Sequence, residues 1–277
     1  MKLYAINAGH FKLDGGAMHG VVPKSMWQKA NPCDDNNMCS WAMRCLLVDT
    51  GERKILIDTG MGNKQDAKFF GHYHPHGEDS IEKNLNKNGY SIHDITDVFL
   101  THLHFDHCGG AVIREDEQLL PAFPNAQYWS NEAHWQSALK PNERERASFL
   151  KENFMPLMER EGLLHYVTEG NWIENFEVKI VQGHTDSMML PLINFNGRKL
   201  LFCADLIPSA AHVSMPWVMA YDMRPLETLN EKRAILKEAA ANDWVLFFEH
   251  DPSIECASLQ EVDGRIRVKE TFNLSNL

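Results

Sequence analysis

Three histidines and one aspartate fall within six positions at His102-Leu103-His104-Phe105-Asp106-His107. Imidazole nitrogens and carboxylate oxygens are the donors that a borderline divalent cation such as zinc accepts. Packing explains so dense a cluster poorly, because each buried ring nitrogen needs a partner. The run follows the apolar stretch Val98-Phe99-Leu100 and precedes Gly109-Gly110, so it reads as a metal-binding turn at the end of a strand.

Three further segments share this arrangement. Val181-Gln182-Gly183-His184 places a histidine just past a strand, after a glycine that permits a sharp turn. Leu200-Leu201-Phe202-Cys203-Ala204-Asp205 ends an apolar strand in a carboxylate, and Phe247-Phe248-Glu249-His250-Asp251-Pro252 ends one in a histidine before a proline stop. Strand ends converge on a common crevice, where sites are built. Together they offer five histidines and two aspartates, enough for two metals with coordination positions left open.

The remaining elements must hold those ends in place. Residues 2–8 read as a strand, and residues 9–40 as a long irregular but ordered loop rich in Gly, Pro, Asn and Asp. Residues 41–49 and 53–58 read as a hairpin through Thr50-Gly51-Glu52. Asp79 with Glu82 suggests a capping box for a helix over 80–88 that stops at Gly89. Segment 97–101 is a strand, and helices are expected over 130–138 and 142–160, the second with one charged face. Strands follow near 163–167, 176–182, 188–195 and 199–204. A helix over 225–240 presents Leu226, Leu229, Ile235 and Leu236 at helical spacing, and 244–248 is a last core strand. Strand-rich stretches with helices between them predict an α/β protein with helix-covered sheets.

The 277 residues are 44% hydrophobic and 23% charged, ordinary for a globular chain, and no linker composition interrupts them. A single domain over 1–277 is the expectation, with the loop at about 9–40 near the active site. A formal net charge of −11 repels a phosphate backbone and disfavours a nucleic-acid partner. No secretory leader or membrane span is read, so the cytosol is the expected compartment. Cys33, Cys39, Cys45, Cys108, Cys203 and Cys256 form no CxxC pair and read as reduced thiols. For Cys108 and Cys203, beside the ligand runs, packing is preferred to ligation. The tract His72-Tyr73-His74-Pro75-His76 reads as a solvated loop, and His10, His93, His134 and His165 receive no role.

The pattern His102-x-His104-x-Asp106-His107, followed by His184, Asp205 and His250 and preceded by Asp58-Thr59-Gly60, resembles the metallo-β-lactamase superfamily over about 41–251. That resemblance implies a four-layer αββα sandwich with the metals at one edge of two sheets. It implies that His102, His104 and His184 hold one metal, that Asp106, His107 and His250 hold the other, and that Asp205 bridges them. Asp58 would orient a ligand by hydrogen bonding. The stretches Gly15-Gly16-Ala17-Met18 with Val22-Pro23, and Ala204-Asp205-Leu206 with Met219-Ala220-Tyr221-Asp222, look like the quorum-quenching N-acyl-homoserine lactonases and their organophosphate-hydrolysing relatives. A glutathione-binding domain of the glyoxalase II kind is not read. Many lactonases carry a tyrosine three residues after the bridging aspartate; this chain has Pro208 there, and His212 is a candidate substitute.

The chemistry expected from the resemblance is hydrolysis by a hydroxide bridging two divalent ions, zinc first, with manganese, cobalt or iron also accommodated by such donors. Asp106 would shuttle a proton as well as ligate. A small-molecule lactone is the leading substrate class, with aryl esters or phosphotriesters as the alternative. A mononuclear iron sulfur dioxygenase and a non-catalytic sensor are the readings from other classes. Met18, Trp27, His212, Met215 and Trp217 are the candidate substrate-binding residues. A homodimer is suggested only by analogy, and no membrane partner is expected.

Overall fold

The computed structural model describes residues 1–277. Its first sheet takes strands β1 (Lys2–Asp14), β2 (Met38–Asp49), β3 (Lys54–Ile57), β4 (Asp97–Phe99), β7 (Gln127–Ser130) and β8 (Leu164–Tyr166), in that spatial order, while β5 (Val112–Glu115) and β6 (Gln118–Pro121) form a separate hairpin. The second sheet runs β9 (Gly170–Ile173), β10 (Phe176–Val181), β11 (Met188–Phe195), β12 (Arg198–Phe202), β13 (Val245–Phe247), β14 (Cys256–Val262) and β15 (Arg265–Phe272) in sequence order. Eight helices accompany them: α1 (Gly15–His19), α2 (Lys24–Trp27), α3 (Ala67–Tyr73), α4 (Ile81–Lys87), α5 (Phe105–Cys108), α6 (Glu132–Leu139), α7 (Met155–Met158) and α8 (Pro225–Ala241). The chain forms two compact units, one of residues 1–10 and 43–168, the other of 11–42 and 169–277. No helix is long and apolar enough to cross a membrane.

In the first unit β3, β4, β7 and β8 pair in parallel, so their C-terminal ends open on one edge. The two-residue side-chain period puts Cys45, Leu47, Leu56, Val98 and Tyr128 in one buried cluster with Leu85 of α4 and Trp135 of α6. The hairpin expected at 41–58 is present, with Leu46 opposite Ile57 and Asp49 opposite Lys54. The N-cap of α4 is Ser80, which accepts from the Lys83 amide; Asp79 instead accepts from Asn7 and Asn84. The helix expected over 142–160 does not form. The Asn142 side chain accepts from the Arg144 and Glu145 amides, offering the backbone a turn in place of a helix, and Pro156 has no donor for a continuous one. A 3-10 turn at Lys151–Asn153 and the single turn of α7 remain.

In the second unit β12 and β13 pair in parallel and the other neighbours are antiparallel. The hairpin β14–β15 turns through Asp263-Gly264, both at positive φ (52° and 71°). An Asp-Gly pair between two alternating runs is a hairpin signal that the sequence reading passed over. The expected loop at 9–40 is more regular than its composition suggests. β1 continues to Asp14, whose carboxylate caps α1 by accepting from the Ala17 amide (2.8 Å), and Asp34 accepts from the Asn36 and Met38 amides in a turn closed by antiparallel backbone pairing of residues 33 and 39, whose thiols stay free. Short polar side chains at caps and turns, not apolar periodicity, order this segment.

The buried face of α8 also differs from the apolar reading. Leu226 is exposed, and the inward stripe is Thr228, Lys232, Ile235, Leu236 and Ala239. The Lys232 ammonium donates to three carbonyls, those of Ser214 (2.8 Å), Met215 (3.3 Å) and Trp217 (2.8 Å). Three protons meet three acceptors, so the cation ties segment 214–217 to the helix. Lys232→Met keeps the chain length but leaves those carbonyls without a donor. It should lower stability by about 2–3 kcal/mol. A urea-unfolding midpoint equal to that of the parent would exclude this role.

Candidate functional site

The histidine run leaves the end of β4, where parallel pairing delivers it next to the end of β3. Asp58 follows β3 in a left-handed conformation (φ 57°), is fully buried, and collects three donors. Its carboxylate accepts from the Thr101 amide (2.8 Å), the Thr101 hydroxyl (2.6 Å) and His107 Nδ1 (3.1 Å). The Thr101 hydroxyl, spent on Asp58, is left to accept from His102 Nδ1 (3.1 Å). One carboxylate thus sets the tautomer of two imidazoles and leaves each Nε2 with a lone pair to offer. His102 Nε2 stands 3.1 Å from His104 Nδ1, and Asp106 Oδ2 stands 3.9 Å from His107 Nε2.

Backbone packing holds this loop. A Cβ on Gly109 would lie 2.1 Å from the Met61 carbonyl oxygen and one on Gly110 2.2 Å from that of Thr59, so only glycine lets α5 sit against 59–61. Thr59 donates to the His107 carbonyl through both its amide (2.7 Å) and its hydroxyl (2.9 Å). His134 accepts from the Leu103 amide at Nε2 (2.8 Å), and the buried Glu145 carboxylate lies 3.9 Å from His104 Nε2. Neither was singled out in the sequence; no local motif marks a residue that acts through another. Cys108 donates to the Leu103 carbonyl (3.3 Å), and burial pushes its thiol up to about 12, so it packs as expected.

In the second unit Gly183 turns the chain tightly against α8; a Cβ there would lie 2.3 Å from Thr228 Oγ1. The amides of Gln182 and Gly183 donate to Glu231 (2.7 and 3.0 Å), which fixes the turn before His184. Asp205 sits on a short turn after β12 and presents one oxygen to each of two imidazoles: Oδ2 is 3.1 Å from His184 Nε2 and Oδ1 is 3.0 Å from His250 Nε2. The far nitrogens are anchored, His184 Nδ1 on Asp222 (2.9 Å) and His250 Nδ1 on the Ala42 carbonyl (2.8 Å). A carbonyl only accepts, so His250 Nδ1 carries the proton and its Nε2 faces the carboxylate with a lone pair. Such an arrangement calls for a cation between them, either a proton or a metal. Burial alone would lower the pKa of His184, but the Asp205 and Asp222 carboxylates outweigh it and raise it to about 10. Two donors bound to one ion at roughly 2.0–2.2 Å stand about 2.8–3.6 Å apart, from octahedral to tetrahedral angles, a range that includes these separations.

Asp222 is a further contributor that motif reading did not assign as a partner. Asp222→Asn should weaken metal affinity or activity by about 10–100-fold, since the anchoring partner of a ligating histidine sets its orientation and basicity. Metal titration by calorimetry reads this directly; unchanged affinity and turnover would remove Asp222 from the site.

The candidate substrate residues divide. Trp27, Trp217 and His212 surround His19, with ring centroids 5.3, 5.2 and 4.9 Å away. The Met18 carbonyl accepts from His212 Nε2 (2.8 Å), and the Ser209 hydroxyl donates to His212 Nδ1 (2.7 Å). Both nitrogens of His212 are thereby engaged, and burial with the nearby His19 ring pushes its pKa down to about 3. Met215 instead lines a separate cavity with α8 and β15. Pro208 uses its carbonyl to accept from the His250 amide (3.1 Å). The histidine-rich tract is not wholly the loop expected: His72 and Tyr73 end α3, with Tyr73 packed on Phe105 (ring centroids 4.4 Å), while His72, His74 and His76 are exposed.

Residues 44–250 match the profile of the metallo-beta-lactamase superfamily. The chain belongs to that superfamily. It is 26% identical over 196 residues to an N-acyl homoserine lactonase of Bacillus cereus, an alignment covering 66% of each chain, so it spans just under two thirds of that curated relative. A probable metal-dependent hydrolase from Staphylococcus aureus matches over 100% of this chain and 98% of its own, at 25% identity and a TM-score of 0.88. AidC, described as a dizinc quorum-quenching lactonase in complex with a product, matches over 98% of this chain and 95% of its own, at 23% identity and a TM-score of 0.79. The metallo-β-lactamase fold expected from the ligand pattern is therefore the fold of this chain.

Proposed function

We propose that this superfamily member is a dinuclear metal-dependent hydrolase that opens lactones. In this reading His102, His104, Asp106, His107, His184, Asp205 and His250 are the ligands of two divalent ions, zinc first. The observation that carries it is Asp205, whose two oxygens each face a different, tautomer-locked imidazole. One carboxylate shared between two histidines is the arrangement of a bridge between two sites. The donor set of imidazole and carboxylate, poor in thiolate, suits zinc with open positions. The family match, which spans both ligand sets, supports the same reading, as do the lactonases among the relatives.

When bound, two such ions polarise the substrate's electrophilic oxygen and lower the pKa of water at the site. The chain's own residues supply the rest. Asp58, Asp222 and the Ala42 carbonyl hold imidazole tautomers so that no reorganisation is needed during turnover. Asp106 ligates and, in this proposal, also accepts the proton released as the nucleophile forms. Asp106→Asn with both metals retained should then lose activity and shift its pH profile; full activity would confine Asp106 to ligation. The substrate is a small ester or lactone, handled by a cytosolic homodimer.

A second reading has an observation of its own. Pro208 lacks the hydroxyl of the tyrosine that the lactonase resemblance places there, and His212 has both nitrogens engaged by Ser209 and Met18. Substrates with good leaving groups, aryl esters and phosphotriesters, do not need that donor. A hydrolysis panel on the metal-analysed enzyme, using acyl-homoserine lactones, γ- and δ-lactones, aryl esters and paraoxon-type triesters, separates the two. Turnover of a triester with none of any lactone would replace the first reading by the second.

A further inference from the structure

The second unit holds a groove of about 950 Å³ that the proposed metal chemistry does not use. Its walls are α8, β15 and segment 210–216. Arg233 and Lys237 stand four apart on one face of α8, and Arg265 and Arg267 lie on the edge strand β15, where they line the cavity together with the intervening Ile266. None of the four is in an ion pair; Arg233 makes one hydrogen bond, to the Asn230 side chain (2.9 Å). Glu261 is the one carboxylate of the lining. Four unpaired cations around one cavity, in a chain of net charge −11, make a local field that attracts an anion.

Below the charges the lining is aliphatic. Val213 and Leu236 are buried, and Met215, Ile266 and Val268 are half-buried. No aromatic side chain lines the groove, so an aryl ring or nucleobase has nothing to stack on, whereas an alkyl chain is matched along its length. The wall is built in advance. The Lys232 ammonium holds the Ser214 and Met215 carbonyls, and the Ala210 amide donates to Asp251 (3.0 Å). A cavity of this size, mostly apolar with a few convergent polar groups, has the form of a small-molecule site.

We propose that this groove binds a single-chain anionic amphiphile, its alkyl tail on the half-buried Met215, Ile266 and Val268 and its carboxylate or phosphate head among Arg233, Lys237, Arg265 and Arg267. Guanidinium pairs favour carboxylate and phosphate oxygens in two-pronged contacts, which suits Arg265 and Arg267 to the head.

The test is calorimetric titration of the metal-loaded enzyme, below micelle-forming concentrations, with decanoate and decyl phosphate. Decanol, decyltrimethylammonium and inorganic phosphate serve as controls. Saturable binding of a decyl anion is expected, with Kd rising about fourfold for each methylene removed and at least tenfold in an Arg265→Gln/Arg267→Gln variant. The tighter of the two anions names the head group. Asp205→Asn should leave this affinity unchanged, which separates the groove from the metal reading. Equal binding of decyltrimethylammonium, or of inorganic phosphate alone, would overturn the proposal. So would affinity indifferent to the arginine changes, or a dimer dissolved by those same changes, which would give the face to a second copy of the chain.

Discussion

Asp205→Ala is expected to abolish hydrolysis, lowering kcat/KM by about 10³-fold or more and reducing bound metal below two ions per chain. The side chain faces His184 through one oxygen and His250 through the other, so its loss removes a donor from both proposed sites at once. Metal ions supply several kcal/mol of charge stabilisation in such reactions, and each 1.36 kcal/mol is about tenfold in rate. The loss should exceed that of Asp222→Asn, which reorients one ligand without removing it. Asp205→Asn serves as the isosteric control, because it keeps the shape of the turn after β12 while removing the charge. Metal counted by elemental analysis alongside kinetics decides the matter. An Asp205→Ala protein that still carried two metals and turned over at the parent rate would end the bridging assignment.

Stripping the metal should be nearly as severe, and it acts on stability as well as rate. The proposed ligands and Asp58, which orients them, gather negative charge and lone pairs in buried positions: Asp58, His102 and His107 are fully buried, and Asp205 and His184 nearly so. An ion that binds the folded chain at about a thousand times its Kd contributes about 4 kcal/mol. For a chain of this size that corresponds to roughly 8–15 °C in melting temperature. Dialysis against a chelator should therefore lower the calorimetric midpoint by that order and remove activity. Re-addition of zinc, manganese, cobalt or iron(II) should restore both, the best metal being the one that recovers most turnover. Metal-free protein with an unchanged midpoint and full activity would show that the ligand sets are not a metal site.

Some elements were legible because local chemistry dictates them. The hairpin β2–β3, helices α4, α6 and α8, and the strands that end in ligands follow from alternation, caps and apolar runs. Others were not, because competing local effects decided them. Residues 142–160 carry an amphipathic pattern, yet the Asn142 turn and Pro156 outweigh it. In α8 the pattern pointed to Leu226, while the buried stripe includes Lys232, whose burial makes sense only once the carbonyls of 214–217 are seen around it.

The candidate ligands were legible in the sequence alone, because a donor atom is a property of a residue type and the HxHxDH spacing is short enough to be one turn. What the tertiary structure decided is which nitrogen each imidazole offers and what anchors the other. Asp58, Asp222 and the Ala42 carbonyl lie 49, 38 and 208 positions from the histidines they orient. A hydrogen bond that sets a tautomer depends on distance in space, and no spacing along the chain encodes it.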